Sequence, residues 1–397
     1  MDKLAVFGGK PVREKPIYYG HQYLDEEDIE AVVNVLKSDY LTCGPQIKKL
    51  EEKLCKLTGA KYAVVLSSGT AALHAACFAA GISRGDEVIT TPMTFAASAN
   101  CVLYQNGTPV FADIDAGTYN ISPDEIEKKI SEKTKAVVAV DFTGQAADLN
   151  SIRDICQKEK LVFIEDGAHS IGTVYDGKPV GSIADMTTFS FHPVKTVTGG
   201  EGGAVLTDSE AYYRRLLLFR THGITRDGRF LEKEPEGSWY YEQIDLGYNY
   251  RLTDMQAALI GSQLSKLDMF KKRRKAITSQ YNQAFLNIPE LLLQKETKES
   301  DTARHLYILQ FDVEKLKVGR KEIFDALKGE NICCNVHYIP VYYFPYYQKL
   351  GYKKGLCPNA ERLYERMVTL PLYYSMTDED VSSVVQAVEK VIGYYRK

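Results

Sequence analysis

Long apolar runs are missing from this chain, and so is an excess of charge of either sign. No stretch stays apolar over the ~20 residues that a membrane-spanning helix needs, so no membrane partner is expected. Lysine and arginine total 49 against 52 acidic residues, a net charge of -3. That balance gives no electrostatic case for nucleic acid or for an anionic membrane surface. The segment Met1–Pro16 lacks the apolar core of a signal peptide, so a cytoplasmic location is expected. Cysteines stand at 43, 55, 77, 101, 156, 333, 334 and 357, without one Cys-x-x-Cys pair. That spacing excludes a zinc framework and a disulfide scaffold, and predicts reduced, mostly buried thiols and no metal. Internal repeats and low-complexity segments are absent as well.

What is present reads as an ordinary globular protein, 45% hydrophobic and 25% charged. Its 397 residues suit a large domain plus a smaller one. Short apolar strands and helices alternate. Strands are expected at Tyr62–Leu66, Glu87–Thr90, Pro109–Ala112, Ala136–Val140 and Leu161–Glu165. Helices are expected from Asp25 on, and at Ile47–Leu57, Ala71–Ala80, Ala96–Tyr104, Pro123–Ile130 and Leu149–Glu159. Strands apolar throughout that alternate with helices predict a largely parallel sheet covered on both faces. Ligands of such sheets sit at the carboxyl ends of the strands. After about residue 265 the pattern becomes mixed, with strands at His305–Phe311 and Val336–Tyr338 and helices at Lys321–Leu327 and Asp378–Ile392. The division expected is an N-terminal segment 1–23, an α/β domain 24–265 and a smaller α+β domain 266–397. The basic run Lys271–Lys275 reads as a solvated helix face. The tyrosines at 338, 342, 343, 346 and 347 read mainly as packing residues, of which one or two could line a sugar site.

The residues that follow the strands carry the chemistry. Phe189 to Gly203 sets Lys195 between an aromatic strand and a glycine-rich turn. A lysine held dry there favours its neutral amine, which attacks carbonyls. Ser67-Ser68-Gly69-Thr70 opens a helix with hydroxyls and free amides, a phosphate cradle or simply a helix cap. Phe95 could stack on a planar ring or belong to the core. Asp166 could pair with a protonated ring nitrogen or cap a helix. Ser190 could add to the cradle. Together these parts compose a pyridoxal phosphate site in chain order.

The chain resembles the fold-type-I, pyridoxal-phosphate-dependent nucleotide-sugar aminotransferases of the DegT/StrS family. The likeness runs from Leu41-Thr42-Cys43-Gly44-Pro45 through Ser67–Ala71, Ile164–His169 and the lysine segment. It continues through Arg220-Thr221-His222-Gly223, Gly247–Ala258 and His305-Leu306-Tyr307 to Leu370-Pro371-Leu372. The resemblance implies an α/β fold with a mostly parallel seven-stranded sheet between helices. It implies Lys195 as the Schiff-base lysine, Asp166 on the pyridinium nitrogen and Phe95 on the ring. Ser68, Gly69, Thr70 and Ser190 would hold the phosphate, and His169 would lie near the ring hydroxyl. Asn249 would reach the phosphate in a neighbouring subunit, making a homodimer with shared sites. Where relatives often read Gly-Gln-Pro, this chain has Gly144-Gln145-Ala146, which bears on a substrate contact of Gln145.

Tyr19–Asp25, Val140–Gln145 and Val336–Pro340 look most like the branch that aminates C4 of a UDP-linked 4-keto-6-deoxy-N-acetyl-L-hexosamine, on the route to pseudaminic acid. The expected donor is L-glutamate. Arg220, Arg226 or Arg251 could pair with donor carboxylates or the sugar diphosphate. Tyr19, His305, His337 and Tyr338 are candidates on the sugar-nucleotide side. The runner-up substrates are a UDP-4-keto-D-N-acetylhexosamine and a GDP-4-keto-6-deoxymannose. Two rival classes on this fold are a sugar dehydratase, which carries histidine at the lysine position, and a non-catalytic regulator, which would lose the lysine or the aspartate. Lys195 and Asp166 speak against both.

Overall fold

Seven strands form where the sequence is apolar on both faces: β1 Tyr62–Leu66, β2 Glu87–Thr90, β3 Thr108–Phe111, β4 Thr134–Val140, β5 Val162–Asp166, β6 Met186–Ser190 and β7 Gly203–Thr207. The computed structural model describes residues 3–397, so Met1 and Asp2 of the expected N-terminal segment lie outside the described residues. The strands join in one sheet in the order β1-β7-β6-β5-β4-β2-β3. Every neighbouring pair is parallel except those of β7, which runs antiparallel to β1 and β6.

Alternate strand residues feed two cores, as the two-residue period of a strand requires. Ala63, Val65, Val137 and Ala139 pack with helices α2 (Pro45–Thr58), α5 (Leu149–Glu159) and α7 (Asp254–Leu264). Val64, Leu66, Ala136 and Val138 pack with α3 (Gly69–Ala79), α4 (Ala97–Tyr104) and α6 (Glu210–Arg220). The remaining helix before the sheet, α1 (Glu26–Leu36), starts at Asp25 in a capping box with Asp28. Alanines 71, 72, 75, 76 and 79 are all buried. Their small side chains let α3 lie close to the sheet, with its N-terminus at the carboxyl end of β1.

A third core gathers around the long helix α8 (Leu267–Phe285) and an antiparallel sheet of β8 Leu291–Leu293, β9 Tyr307–Phe311 and β10 Met367–Leu370. Helices α9 (Arg320–Gly329) and α11 (Asp378–Tyr395) complete it, with α10 (Pro358–Arg366) between them in sequence. Residues of the N-terminal segment belong to this core. Leu4 and Ile17 are buried in it, and Ile17–Tyr18 pairs with Ile332–Cys333. Glu330, with no exposed surface, accepts from the Ala5 and Val12 amides, each at 2.9 Å, and from Lys390 Nζ at 2.8 Å.

Two expected strands differ. Val336–Tyr338 forms no strand, because its amides go elsewhere. Val336 N–H donates to Asn335 Oδ1 at 2.8 Å and Tyr338 N–H to Met93 Sδ at 3.5 Å. β9 begins at Tyr307 rather than His305, because the amides of His305 and Leu306 both donate to Thr143 O, at 2.7 and 3.2 Å. All eight cysteines are free. Among the described residues no His, Cys, Asp or Glu cluster could hold a metal ion, and no helix is long and apolar enough to cross a membrane.

Candidate active site

The carboxyl edge of the sheet opens into a cavity of about 780 Å³. Its floor starts where β1 turns into α3. Ser68 caps the helix, its Oγ accepting from Ala71 N–H at 3.1 Å. The first-turn amides of a helix have no partner one turn back and remain available to a ligand. Glycine is required at this turn by close approach. A Cβ on Gly69 would lie 2.8 Å from Ser190 Cβ, and one on Gly203 would lie 2.2 Å from Ser68 O. Backbone amides, the Thr70 and Ser190 hydroxyls and the positive end of α3 thus meet in one concavity suited to a phosphate.

Lys195 sits in the turn after β6, where its amide donates to His192 O at 2.9 Å. Loss of water pushes its amine down from the usual 10.5 to about 8, and the charge of Asp166 pulls the other way. Asp166 ends β5 and is 4% exposed. Its Oδ2 accepts from Ser98 Oγ at 2.6 Å and its Oδ1 from Ala168 N–H at 3.1 Å. Burial pushes this carboxyl up, and those two hydrogen bonds and Lys195 oppose the rise. Phe95, just before α4, is 62% exposed although it lines the cavity. An aromatic face bare inside a pocket is a platform for a second flat ring.

The opposite wall is richer in imidazole. The rings of His169 and His305 lie 4.7 Å apart. His169 Nε2 is 3.1 Å from Tyr338 Oη, and the Nδ1 atoms of both histidines are buried without a partner. Burial, with Lys195 adding to it, holds both rings well below the usual histidine range, hence neutral. His337 is pushed down to about 3, first by burial. Its Nδ1 is 3.0 Å from Thr369 Oγ1, and its ring centre is 5.1 Å from that of Tyr19. Burial raises the Tyr338 phenol, keeping it a neutral donor.

Tyr19, Ser68, Gly69, Thr70, Phe95, Asp166, His169, Ser190, Lys195, His305, His337 and Tyr338 therefore line one cavity. Five other expected site residues lie outside its lining. Gln145 is fully buried, with Nε2 donating to Lys295 O at 3.1 Å. It braces the backbone and presents nothing to a substrate in this arrangement. Arg220 is spent on Glu51 Oε1 at 2.7 Å and Val65 O at 3.0 Å. Arg226 stacks on Tyr241 at 5.1 Å. Arg251 and the exposed Asn249 are likewise outside the lining, and among the described residues no arginine lines the cavity. Ser98, His192, Glu201 and Asn335 line it although the sequence pattern does not single them out. Ser98 has a signal in the sequence, standing one helical turn after Phe95 behind a strand. The others come from loops without a pattern.

These residues fit pyridoxal phosphate. The glycine-tight cradle suits a phosphate, and the Asp166 carboxylate suits a protonated ring nitrogen. Phe95 offers a ring face, His169 an unpartnered Nδ1, and Lys195 an amine that loses its proton easily.

The sequence pattern of the DegT/DnrJ/EryC1/StrS aminotransferase family matches residues 22–389. The spore coat polysaccharide biosynthesis protein SpsC of Bacillus subtilis is 42% identical over 376 residues, covering 94% of this chain and 96% of that protein. Among solved structures, Helicobacter pylori PseC, an aminotransferase involved in the biosynthesis of pseudoaminic acid, superposes with a TM-score of 0.89 at 33% identity, over 96% of this chain and 100% of its own. Spr1654 of Streptococcus pneumoniae in its PMP form gives 0.88 at 31% identity, over 95% of this chain and 99% of its own, and is also solved in a PLP form. With this cavity and these relatives, the chain belongs to the DegT/DnrJ/EryC1/StrS aminotransferase family and is a pyridoxal-phosphate-dependent aminotransferase.

Proposed function

We propose that this enzyme moves the amino group of L-glutamate to C4 of a UDP-linked 4-keto-6-deoxy-N-acetyl-L-hexosamine. The observation that carries the reading is the likeness to PseC over nearly the whole chain. The branch-like segments around Tyr19 and His337 support it further, since both residues line the cavity.

When bound, the cofactor supplies the electron sink for breaking a bond at the amino acid's α-carbon. The chain's own residues do the rest. Lys195 Nζ, eased toward its neutral form, takes the α-proton and returns it on the other side of the exchange. Asp166 keeps a positive charge on the ring nitrogen, and Ser98 and Ala168 hold that carboxylate in place. Gly69, Thr70 and Ser190 hold the phosphate. His169, His305, His337 and Tyr338 offer neutral hydrogen-bonding groups to a sugar without competing charge. Two half-reactions at one site predict ping-pong kinetics.

A homodimer with shared sites belongs to the same proposal. Asn249 is exposed, and Trp239, Tyr241, Leu246 and Tyr248 near it expose large apolar surface, which a second copy would cover. A cytoplasmic location belongs to the same reading.

The higher identity to SpsC favours a second reading, amination of a different nucleotide-linked keto-sugar. One assay separates the two. The enzyme is supplied with glutamate and a panel of nucleotide-4-keto-sugars, and products are resolved by NMR. A preference for the L-configured UDP substrate is expected. A preference for the UDP-D-sugar or for GDP-4-keto-6-deoxymannose would overturn the first reading.

A further inference from the structure

Three carboxyls meet at the carboxyl edge of β4 and β5, and only one of them lines the cavity. That one is Asp166. Asp141, just after β4, and Glu165, inside β5, are both 0% exposed. The register that pairs Ala139 with Glu165 sets Asp141, two residues on, on the same face of the sheet as Glu165, and burial, with the charge of Asp141 adding to it, raises the Glu165 carboxyl. Two bare carboxylates do not persist in contact in a dry interior, so the pair holds a proton.

The hydrogen bonds say where the proton is. Both oxygens of Asp141 accept from the protein: Ser170 Oγ donates to Oδ2 at 2.6 Å and Ala147 N–H to Oδ1 at 2.9 Å. Glu165 Oε2 accepts from Thr187 Oγ1 at 2.6 Å and the Gly181 amide also favours the ionised form, but Oε1 has no donor within hydrogen-bond distance. Asp141 is built as an anion, and Glu165 as the acid that donates to it. Burial raises both carboxyls, Glu165 well above its usual value, while the Ser170 and Ala147 hydrogen bonds oppose the rise at Asp141.

From Asp141 the contact runs into the site. Ser170 closes the turn Gly167–Ser170, its amide donating to Gly167 O at 2.9 Å. The same turn sends Ala168 N–H to Asp166 Oδ1 and carries His169. On the other side, the loop after Asp141 supplies Thr143 O, which accepts from His305 N–H at 2.7 Å.

We propose that Asp141, kept as the anion by a proton on Glu165, is a positioning residue for the aminotransferase reaction, fixing through Ser170 the turn that aims the Ala168 amide and His169 into the cavity. The inference rests on the roles proposed above for Asp166 and His169. It is tested on the holoenzyme with Asp141→Asn, Ser170→Ala and Glu165→Gln. The measurements are the single-turnover conversion of the cofactor band by glutamate, its visible circular dichroism, and a thermal melt.

Asparagine keeps one acceptor oxygen and turns a donor toward Glu165, so one of the two donors to Asp141 is left unpaired. Asp141→Asn and Ser170→Ala are expected to slow conversion by about tenfold or more and to alter the circular dichroism. Glu165→Gln, whose amide N–H replaces the acid O–H, is expected to lose less than Asp141→Asn. If Asp141→Asn and Ser170→Ala keep the rate and the dichroism and lower only the melting temperature, the positioning role is overturned. A greater loss in Glu165→Gln than in Asp141→Asn overturns the placement of the proton. Should Asp141→Asn fail to fold, Ser170→Ala removes only a hydroxyl and decides the matter. A wild-type band that glutamate does not convert would count against the proposed donor instead, and the same rates are then read with the amino donor that does convert it.

Discussion

The floor and the opposite wall of the cavity are built in different ways. The floor is the edge of a regular sheet. Asp166 and Ser190 are held in strand ladders, Ser68–Thr70 open the helix that follows β1, and Lys195 sits in the turn after β6. The opposite wall is made of chain without regular structure. Tyr19 comes from the N-terminal segment, His305 from the residues before β9, and His337 and Tyr338 from the loop between Cys333 and Val341. The floor carries the charge, in Lys195 and Asp166, whereas the wall carries neutral imidazoles and a phenol. The residues proposed to serve the cofactor thus stand at or near the sheet edge. Groups suited to choosing a sugar sit on loops, where substitution disturbs less of the fold.

The contrast can be broken most sharply at Lys195. Lys195→Ala is expected to lower turnover on the order of 10⁴-fold and to lack the borohydride-sensitive yellow band expected of the wild type. Turnover of keto-sugar at the normal rate in that variant would sink the mechanism. A change on the wall should act on the sugar alone. His337→Ala leaves the buried Thr369 hydroxyl unpaired, a loss of about 1–3 kcal/mol. A rise in the sugar KM of about tenfold is expected, with the cofactor band and the glutamate half-reaction unchanged. A shifted band would show that wall and floor are not separable. The smallest effect is in pH. Because the attacking form of Lys195 is the neutral amine and its pKa is lowered to about 8, cofactor capture by the apo-protein should speed up as pH rises toward 8 and level off above it. A rate that keeps climbing toward 10.5, the ordinary lysine value, would show that the amine is not desolvated.

Much of the floor is legible in the amino-acid sequence, because a strand announces itself by its apolar run and its ligand-binding residues come next along the chain. Lys195, Asp166, Phe95 and the Ser68–Thr70 turn all follow that logic. The wall is less legible. Val336–Tyr338 has the look of a strand, yet its amides are used by Asn335 and Met93, which pattern alone does not reveal. Arg220 is turned elsewhere for a related reason. A guanidinium is suited to carboxylates and phosphates, but Arg220 already serves Glu51 and the Val65 carbonyl. Gln145 is similar, since its amide is consumed by the backbone at Lys295 and Thr297. The proton-sharing partner of Asp141 is invisible in the sequence too. Glu165 reads as one more residue of an apolar strand, and only its register beside β4 brings the two carboxyls together.

The sequence by itself determined the alternation of strands and helices, and with it the sheet edge where Lys195 and Asp166 would stand. Periodicity and turn chemistry are local, so they survive being read along a line. Only the tertiary structure decided which polar groups are free. A hydrogen bond is used up by whichever partner the fold brings near, often more than a hundred residues away, as with Arg220 and Glu51. It also decided the chemical state of Lys195, His169, His305 and His337, because desolvation depends on the whole enclosure and not on the neighbours in the chain.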